Sequence, residues 1–273
     1  MGAFEIEFIG GIDGFTFQPD KTWAYTEPDT EKQFTSYKYL LANLAFRHNI
    51  SEILSWSINI ERDNILQNSI NALFGAKTDF LNIKFGPFLG LIDNITIPDA
   101  GVIGNLELSV PGIISLLIYG SSTLGSQFDF TSHVYRETAG VKLGFWIDNA
   151  IPSFSASIKY LSRQIEESVV VNDTLLRYLF TLELFSKNQA VSGIINMGYQ
   201  TYKRGYIKDD SEFNDELTSW FAGFGVSWQI NRPLCLKAGF EIPLFISASE
   251  PMTVTQESLI FSKVYAGLVY TIK

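Results

Sequence analysis

The sequence predicts an all-β chain: a single closed antiparallel up-and-down transmembrane β-barrel over residues 1–273, of about 14 strands with about 12 as the alternative count. Three observations carry this. Apolar residues recur at a spacing of two through most of the chain, giving strand after strand one apolar face. The connectors between those strands alternate between long and tight. The last stretch, SLIFSKVYAGLVYTIK from Ser258 to Lys273, is itself such a strand. Val264, Ala266, Leu268, Tyr270 and Ile272 share one face, and Lys263, Tyr265, Gly267 and Thr271 the other. A strand of that kind needs a neighbour on each edge. Closure supplies one by pairing it with the strand that begins at Phe4.

Composition bounds the class. The chain is 46% hydrophobic and 14% aromatic but only 18% charged, against about 25% charged in an average domain. Phe 22, Tyr 12 and Gly 21, against Met 3 and Cys 1, favour strands over helices. A net charge of −9 argues against nucleic acid, which needs a basic face. The lone Cys235 excludes a disulfide framework within the chain; it reads as a buried or lipid-facing thiol. No apolar run of about 18 residues exists for a transmembrane helix. Met1-Gly2-Ala3 leads straight into a strand with no visible export signal. For an exported protein that implies a mature chain with an added Met; for a cytosolic one, the native start.

In chain order, a first strand runs from Phe4 to Phe17, with Phe4, Ile6, Phe8 and Ile12 opposite Glu5, Glu7 and Asp13. A second covers Phe34 to Arg47. In the third, Leu54, Trp56, Ile58 and Ile60 oppose Ser55, Ser57, Asn59 and Glu61. Two shorter strands flank Thr78-Asp79; a two-residue loop there keeps Ile70, Ala72, Phe74 and Leu81, Ile83, Phe85 on one side. Val102, Leu106, Leu108 and Val110 precede Pro111-Gly112, a turn signal, and Ile114, Leu116 and Ile118 follow it. Those residues stay in phase across Pro111, which leaves the count open between 14 and 12; a proline inside a central strand favours 14. The second half repeats the pattern plainly, as in Leu176, Tyr178, Phe180, Leu182 and Leu184 opposite Arg177, Thr181 and Glu183.

The long connectors are 18–32, 62–68, 93–100, 121–134, 166–174, 203–216 and 247–257, and the tight ones lie at His48, Thr78, Pro111, Asp148, Lys187 and Asn231. The largest external loops expected are 18–32, 121–134, 203–216 and 247–257. Aromatics mark the ends of an apolar band. Trp220 and Trp228 share a face eight residues apart, roughly 20 Å along the membrane normal at ~3.3 Å per residue and a tilt of about 40°. Tyr178 and Tyr199 fall near the long-loop ends of their strands, Trp56 and Tyr270 near the short-turn ends.

The closing strand resembles a known signal. Gly267, Tyr270 and Ile272 are similar to the glycine-x-x-hydrophobic-x-hydrophobic ending of bacterial outer-membrane β-barrel proteins. It departs from that ending at Tyr265, where a polar residue is usual, and at Lys273, where an aromatic is. The long-short rhythm of connectors is also that of porin-like barrels, with long external loops and short periplasmic turns. The resemblance implies a place in the bacterial cell outer membrane. It implies membrane lipid, lipopolysaccharide and the barrel assembly machinery as partners, and it names no subfamily or substrate.

For function, a barrel of this size lies between small barrels filled by side chains and the porins. The expectation is passive diffusion of small hydrophilic solutes through a lumen lined by Glu5, Glu7 and Glu61 on one wall and Arg136, Lys142, Lys159, Arg163 and Arg177 on the other. Such walls either set a transverse field or form salt bridges that fill a closed lumen. An alternative is a closed barrel anchoring adhesive or receptor loops that carry Trp23, Tyr25, Tyr206 and Phe213. A soluble β-barrel and an organellar channel are further alternatives. Catalysis is not expected, since the two histidines, His48 and His133, lack the partners a barrel hydrolase needs. Nor is a cofactor or metal: the acids Asp209, Asp210, Glu212, Asp215 and Glu216 lack EF-hand spacing.

Overall fold

A computed structural model describes residues 3–17, 32–33, 37–92, 99–124, 134–166, 168–185, 190–254 and 262–272. Fourteen strands form one closed antiparallel barrel. They are β1 (Phe4–Asp13), β2 (Tyr39–Asn49), β3 (Leu54–Asp63), β4 (Gln67–Lys77), β5 (Leu81–Leu91), β6 (Asp99–Val110) and β7 (Ile114–Thr123). They continue as β8 (Val134–Phe145), β9 (Ala150–Glu166), β10 (Val169–Phe185), β11 (Val191–Lys208), β12 (Ser211–Gln229), β13 (Leu234–Ala248) and β14 (Lys263–Ile272). Two short segments outside the barrel, Lys32–Gln33 and Met252–Thr253, pair with each other in parallel.

Each strand pairs with its sequence neighbours, and β14 closes the ring on β1 with Phe4 opposite Ile272 and Asp13 opposite Lys263. The count of 14 stands and 12 falls. The chain reverses after Val110, Gly112 takes a left-handed φ of 74° in the turn, and Val110 then pairs with Ile114. Thr78 makes the other tight turn, its amide donating to the Leu81 carbonyl at 2.7 Å. This even-numbered, up-and-down ring is the architecture of bacterial outer-membrane barrels.

The period of two sorts every strand between lumen and surroundings. Phe8, Ile60, Phe74, Phe85, Leu89, Phe154, Met197, Phe224 and Leu268 all project outward and are exposed. A soluble protein rarely leaves so continuous an apolar belt in water. In hydrocarbon the belt costs nothing, and closure leaves the ring with no free strand edge.

Strand length is uneven. β1–β8 hold 10 to 12 residues each. β9–β12 hold 17, 17, 18 and 19. This corrects three of the expected long connectors. Segment 203–216 is a β-hairpin with rungs from Lys203–Glu216 to Lys208–Ser211, turning through Asp209 and Asp210, both at positive φ. Segment 166–174 is likewise mostly strand, with Asp173 opposite Leu161. Segment 62–68 holds only a turn of three residues, Asn64 to Leu66, between β3 and β4. The charge on both faces that suggested loops belongs to strands continuing past the apolar belt, where water bathes the outer side. The expected loops 18–32 and 121–134 fall largely outside the described residues, as do His133, Trp23 and Tyr25, whereas of 247–257 the first two residues end β13 and Met252–Thr253 pairs outside the barrel.

Candidate functional site: a stoppered lumen

The long-loop end of the lumen is closed by an apolar cluster. Phe15, Phe17, Ile65, Ile92, Val134, Leu161, Leu175, Tyr202, Leu217 and Met252 are all buried and in mutual contact. They come from the segment after β1, the β3–β4 turn, the end of β5, the inner faces of β8–β12 and the segment after β13. Residues from opposite walls can form one cluster only by meeting across the axis.

The sequence predicts a first strand reaching Phe17, but β1 stops at Asp13. There the Asp13 carboxylate accepts the Phe15 amide at 2.8 Å, an Asx turn that bends the chain inward. Phe17 then lies 4.7 Å, centroid to centroid, from Tyr202, with the Arg204 guanidinium 5.5 Å from its ring. The β3–β4 turn enters from the other side. Asp63 caps it by accepting the amides of Ile65 and Leu66, and the Asn64 side chain donates to the Phe15 carbonyl at 3.5 Å.

Charge pairs tie the stopper to the wall. Lys159 on β9 pairs with Asp63 on β3, bridging the lumen. Arg136 on β8 donates to Asp99 at 2.7 Å and to the carbonyls of Leu66 and Asn68 at 2.6 and 3.2 Å. Asp173 accepts from Arg163 at 2.6 Å, from Arg204 at 2.6 Å and from the Tyr202 hydroxyl at 3.0 Å. Arg177 reaches Glu241 at 2.5 Å.

These contacts revise the expected two-wall lining. Arg136, Lys159, Arg163 and Arg177 do face inward, but each meets a carboxylate, so they do not confront the acids of β1 as an unscreened wall. Three of those carboxylates, on Asp63, Asp99 and Asp173, lie in stretches read from the sequence as connectors. Glu5 and Glu7 are held nearby instead: Arg47 contacts both at 2.5 Å, and Lys237 reaches Glu7 at 2.7 Å. Lys142 is exposed near the short-turn rim. Glu61 faces a cavity of about 190 Å³.

The two halves of the lumen differ in access. At the long-loop end Arg163, Arg204 and Asp173 are at most 2% exposed. Toward the short turns the inward side chains Arg47, Glu5 and Lys237 are 35–40% exposed. The interior is therefore a cup, wet toward the short turns and dry at the other end.

The expected girdle residues all face outward. Tyr178 and Tyr199 are register partners, and the rings of Tyr199 and Trp220 lie 5.3 Å apart, making a row on β10–β12. Beyond that row the outward residues turn polar, with Thr218 hydrogen-bonded to Ser247 and Lys203 paired with Glu216 at 3.0 Å. At the short-turn end Trp56 packs with His48 and Phe4 at 6.0 and 6.3 Å, and Trp228 and Tyr270 are exposed.

Of the closing-strand residues, Tyr270 and Ile272 project outward, while Gly267 sits at the β1–β14 seam. A Cβ there would lie 2.3 Å from the Phe8 carbonyl oxygen, so the glycine permits the close approach of the two strands. Cys235 faces the lumen, half-buried with its Sγ 3.1 Å from the Ser227 hydroxyl, where a lipid-facing or buried thiol was expected. The acids of 209–216 diverge, Asp215 buried inward and Glu216 turned outward to Lys203. Among the described residues no three His, Cys, Asp or Glu side chains converge as metal ligands.

No family model matches the chain, and no curated protein does. Among solved structures it is similar to a loop-deleted form of OmpT, an outer membrane protein of Vibrio cholerae. That match has 10% identity and a TM-score of 0.44, and it covers 100% of this chain and 99% of that one. It is also similar to an outer membrane channel of Pseudomonas putida F1, at 8% identity and a TM-score of 0.49, covering 99% and 95%.

Proposed function

We propose that the protein is a gated channel of the bacterial outer membrane, at rest in its closed state, that admits small solutes when the stopper at its long-loop end withdraws. The observation that carries this is how the closure is built. A 14-stranded ring is wider than side chains alone can fill. Here two chain segments, 14–17 and 64–66, are laid into one end, while the other half stays lined by partly exposed charged groups. A barrel serving only as an anchor has no need of a wet, charge-paired cup behind its closure. Diffusion through a permanently open porin is the simpler form of the same reading; the buried cluster favours the gated form. The reading assigns no catalytic role. Membrane lipid, the assembly machinery and small solutes are its partners.

One observation favours a second reading. The β9–β12 wall rises past the apolar belt, as a displayed recognition surface would.

Planar-bilayer recording of the refolded protein separates the two. The native chain should give brief, infrequent current steps, and the double variant Phe15→Ser, Phe17→Ser long-lived ones. Absence of steps from both, with heat-modifiable electrophoresis showing both folded, overturns the channel and leaves the anchor.

A further inference from the structure

Beneath the stopper, between β3 and β9, the lumen holds a cavity of about 190 Å³ with a mixed lining. Glu61 and Ser69 line it from β3 and β4, Phe88, Ile103 and the Tyr119 ring from β5–β7, and the hydroxyls of Ser121, Thr138 and Ser157 from β7–β9. We infer that this cavity is a binding subsite for a small aromatic or aliphatic primary amine, the ammonium group seated on Glu61 and the apolar portion against Phe88, Ile103 and Tyr119. The inference rests on the channel reading for its role in transport, not for binding itself.

The other charges at the cavity are already committed. Lys159 enters the cavity but bonds to Asp63. Arg136, 2% exposed, is spent on Asp99 and two backbone carbonyls. Asn71, 5% exposed, accepts from Asn59 at 2.6 Å. Glu61 is the one carboxylate in the lining, and among the described residues it makes no hydrogen bond and no ion pair, although Lys159 and Lys263 are near enough to attract it. A half-enclosed carboxylate gains most from a donor that also carries positive charge. An ammonium group supplies three donors and the countercharge together. An anion would meet Glu61 directly and find both neighbouring cations occupied. A neutral polyol would satisfy the hydroxyls but bring the carboxylate no countercharge in direct contact and leave the Phe88 face without an apolar contact. The volume, below the roughly 300–1,000 Å³ of drug-sized ligand pockets, limits the occupant to roughly ten non-hydrogen atoms.

The probe pair is tyramine and its neutral counterpart 4-ethylphenol, titrated calorimetrically into the refolded barrel in detergent. Tyramine should bind at least tenfold more tightly than 4-ethylphenol. Glu61→Gln should weaken tyramine at least tenfold while leaving 4-ethylphenol unchanged. Equal affinity for the two probes on the native protein, or no binding of tyramine, overturns the subsite even if Glu61→Gln fails to fold. An unchanged tyramine affinity in folded Glu61→Gln overturns it as well. Failure of the channel reading is seen separately: it abolishes current in every variant but leaves the calorimetric preference intact.

Discussion

The two ends of one lumen treat charge in opposite ways. At the long-loop end Asp173, Arg163 and Arg204 are removed from water and held in a fixed triangle with Tyr202. At the short-turn end Glu5 and Arg47 make an equally short contact while 35% and 40% of their side chains remain exposed. The same residue types therefore do different work. In the dry half each pair is part of the closure, because neither partner has an alternative. In the wet half solvent can replace either partner, so the pairs tune the lining of the cup and leave its shape alone.

That contrast can be broken by substitution. The largest effect is expected at Asp173→Asn, which removes the carboxylate touching both buried guanidinium groups; breaking a buried pair in this way costs about 3–5 kcal/mol. Urea unfolding of the barrel in lipid vesicles would measure it. Next comes the wall that separates lumen from lipid. Phe224 lies midway between Trp220 and Trp228 on the outward face, and Phe224→Arg should cost about 2–4 kcal/mol in the same assay. Thr271→Arg, on the lumen side of β14, should be mild. The smallest effect belongs to the wet half: Glu5→Gln should change stability by about 0–1 kcal/mol and lose even that in high salt. Equal costs at Asp173 and Glu5 would mean the two halves are hydrated alike and the cup does not exist.

How much of this was visible in the sequence follows the same division. The sorting of residues between lipid and lumen was legible, because a period of two needs no knowledge of which strands meet. Tyr178, Tyr199, Trp220 and Trp228 could be assigned to the outward face for that reason. The count of 14 was legible as soon as Pro111-Gly112 was given its steric meaning. The stopper was not. Phe15 and Phe17 keep a spacing of two but fall on the side of Glu5, Glu7 and Asp13, and that slip of phase, with Gly14 and the Asp13 cap, is the one hint that the chain has left the sheet. The partners of the basic residues were hidden too. Asp63, Asp99 and Asp173 sit where charge and turn-forming residues crowd together, which read as loop, and only the closed ring brings them inside. Glu61 lines the cavity under the stopper, but its neighbour two residues on, Asp63, is the one that Lys159 meets.

The β1–β14 seam governs how such a molecule comes into being. All other barrel pairings join strands adjacent in sequence and can form as each hairpin becomes available. The seam joins Phe4 to Ile272 across almost the entire chain, so its closure carries the largest loop entropy and belongs among the slow steps of folding. Until it forms, β1 and β14 each present a bare edge, and an edge in hydrocarbon is costly. Gly267, against the Phe8 carbonyl, stands at that junction. The residue that looked like a sorting label in the sequence is also the one that lets the ring shut.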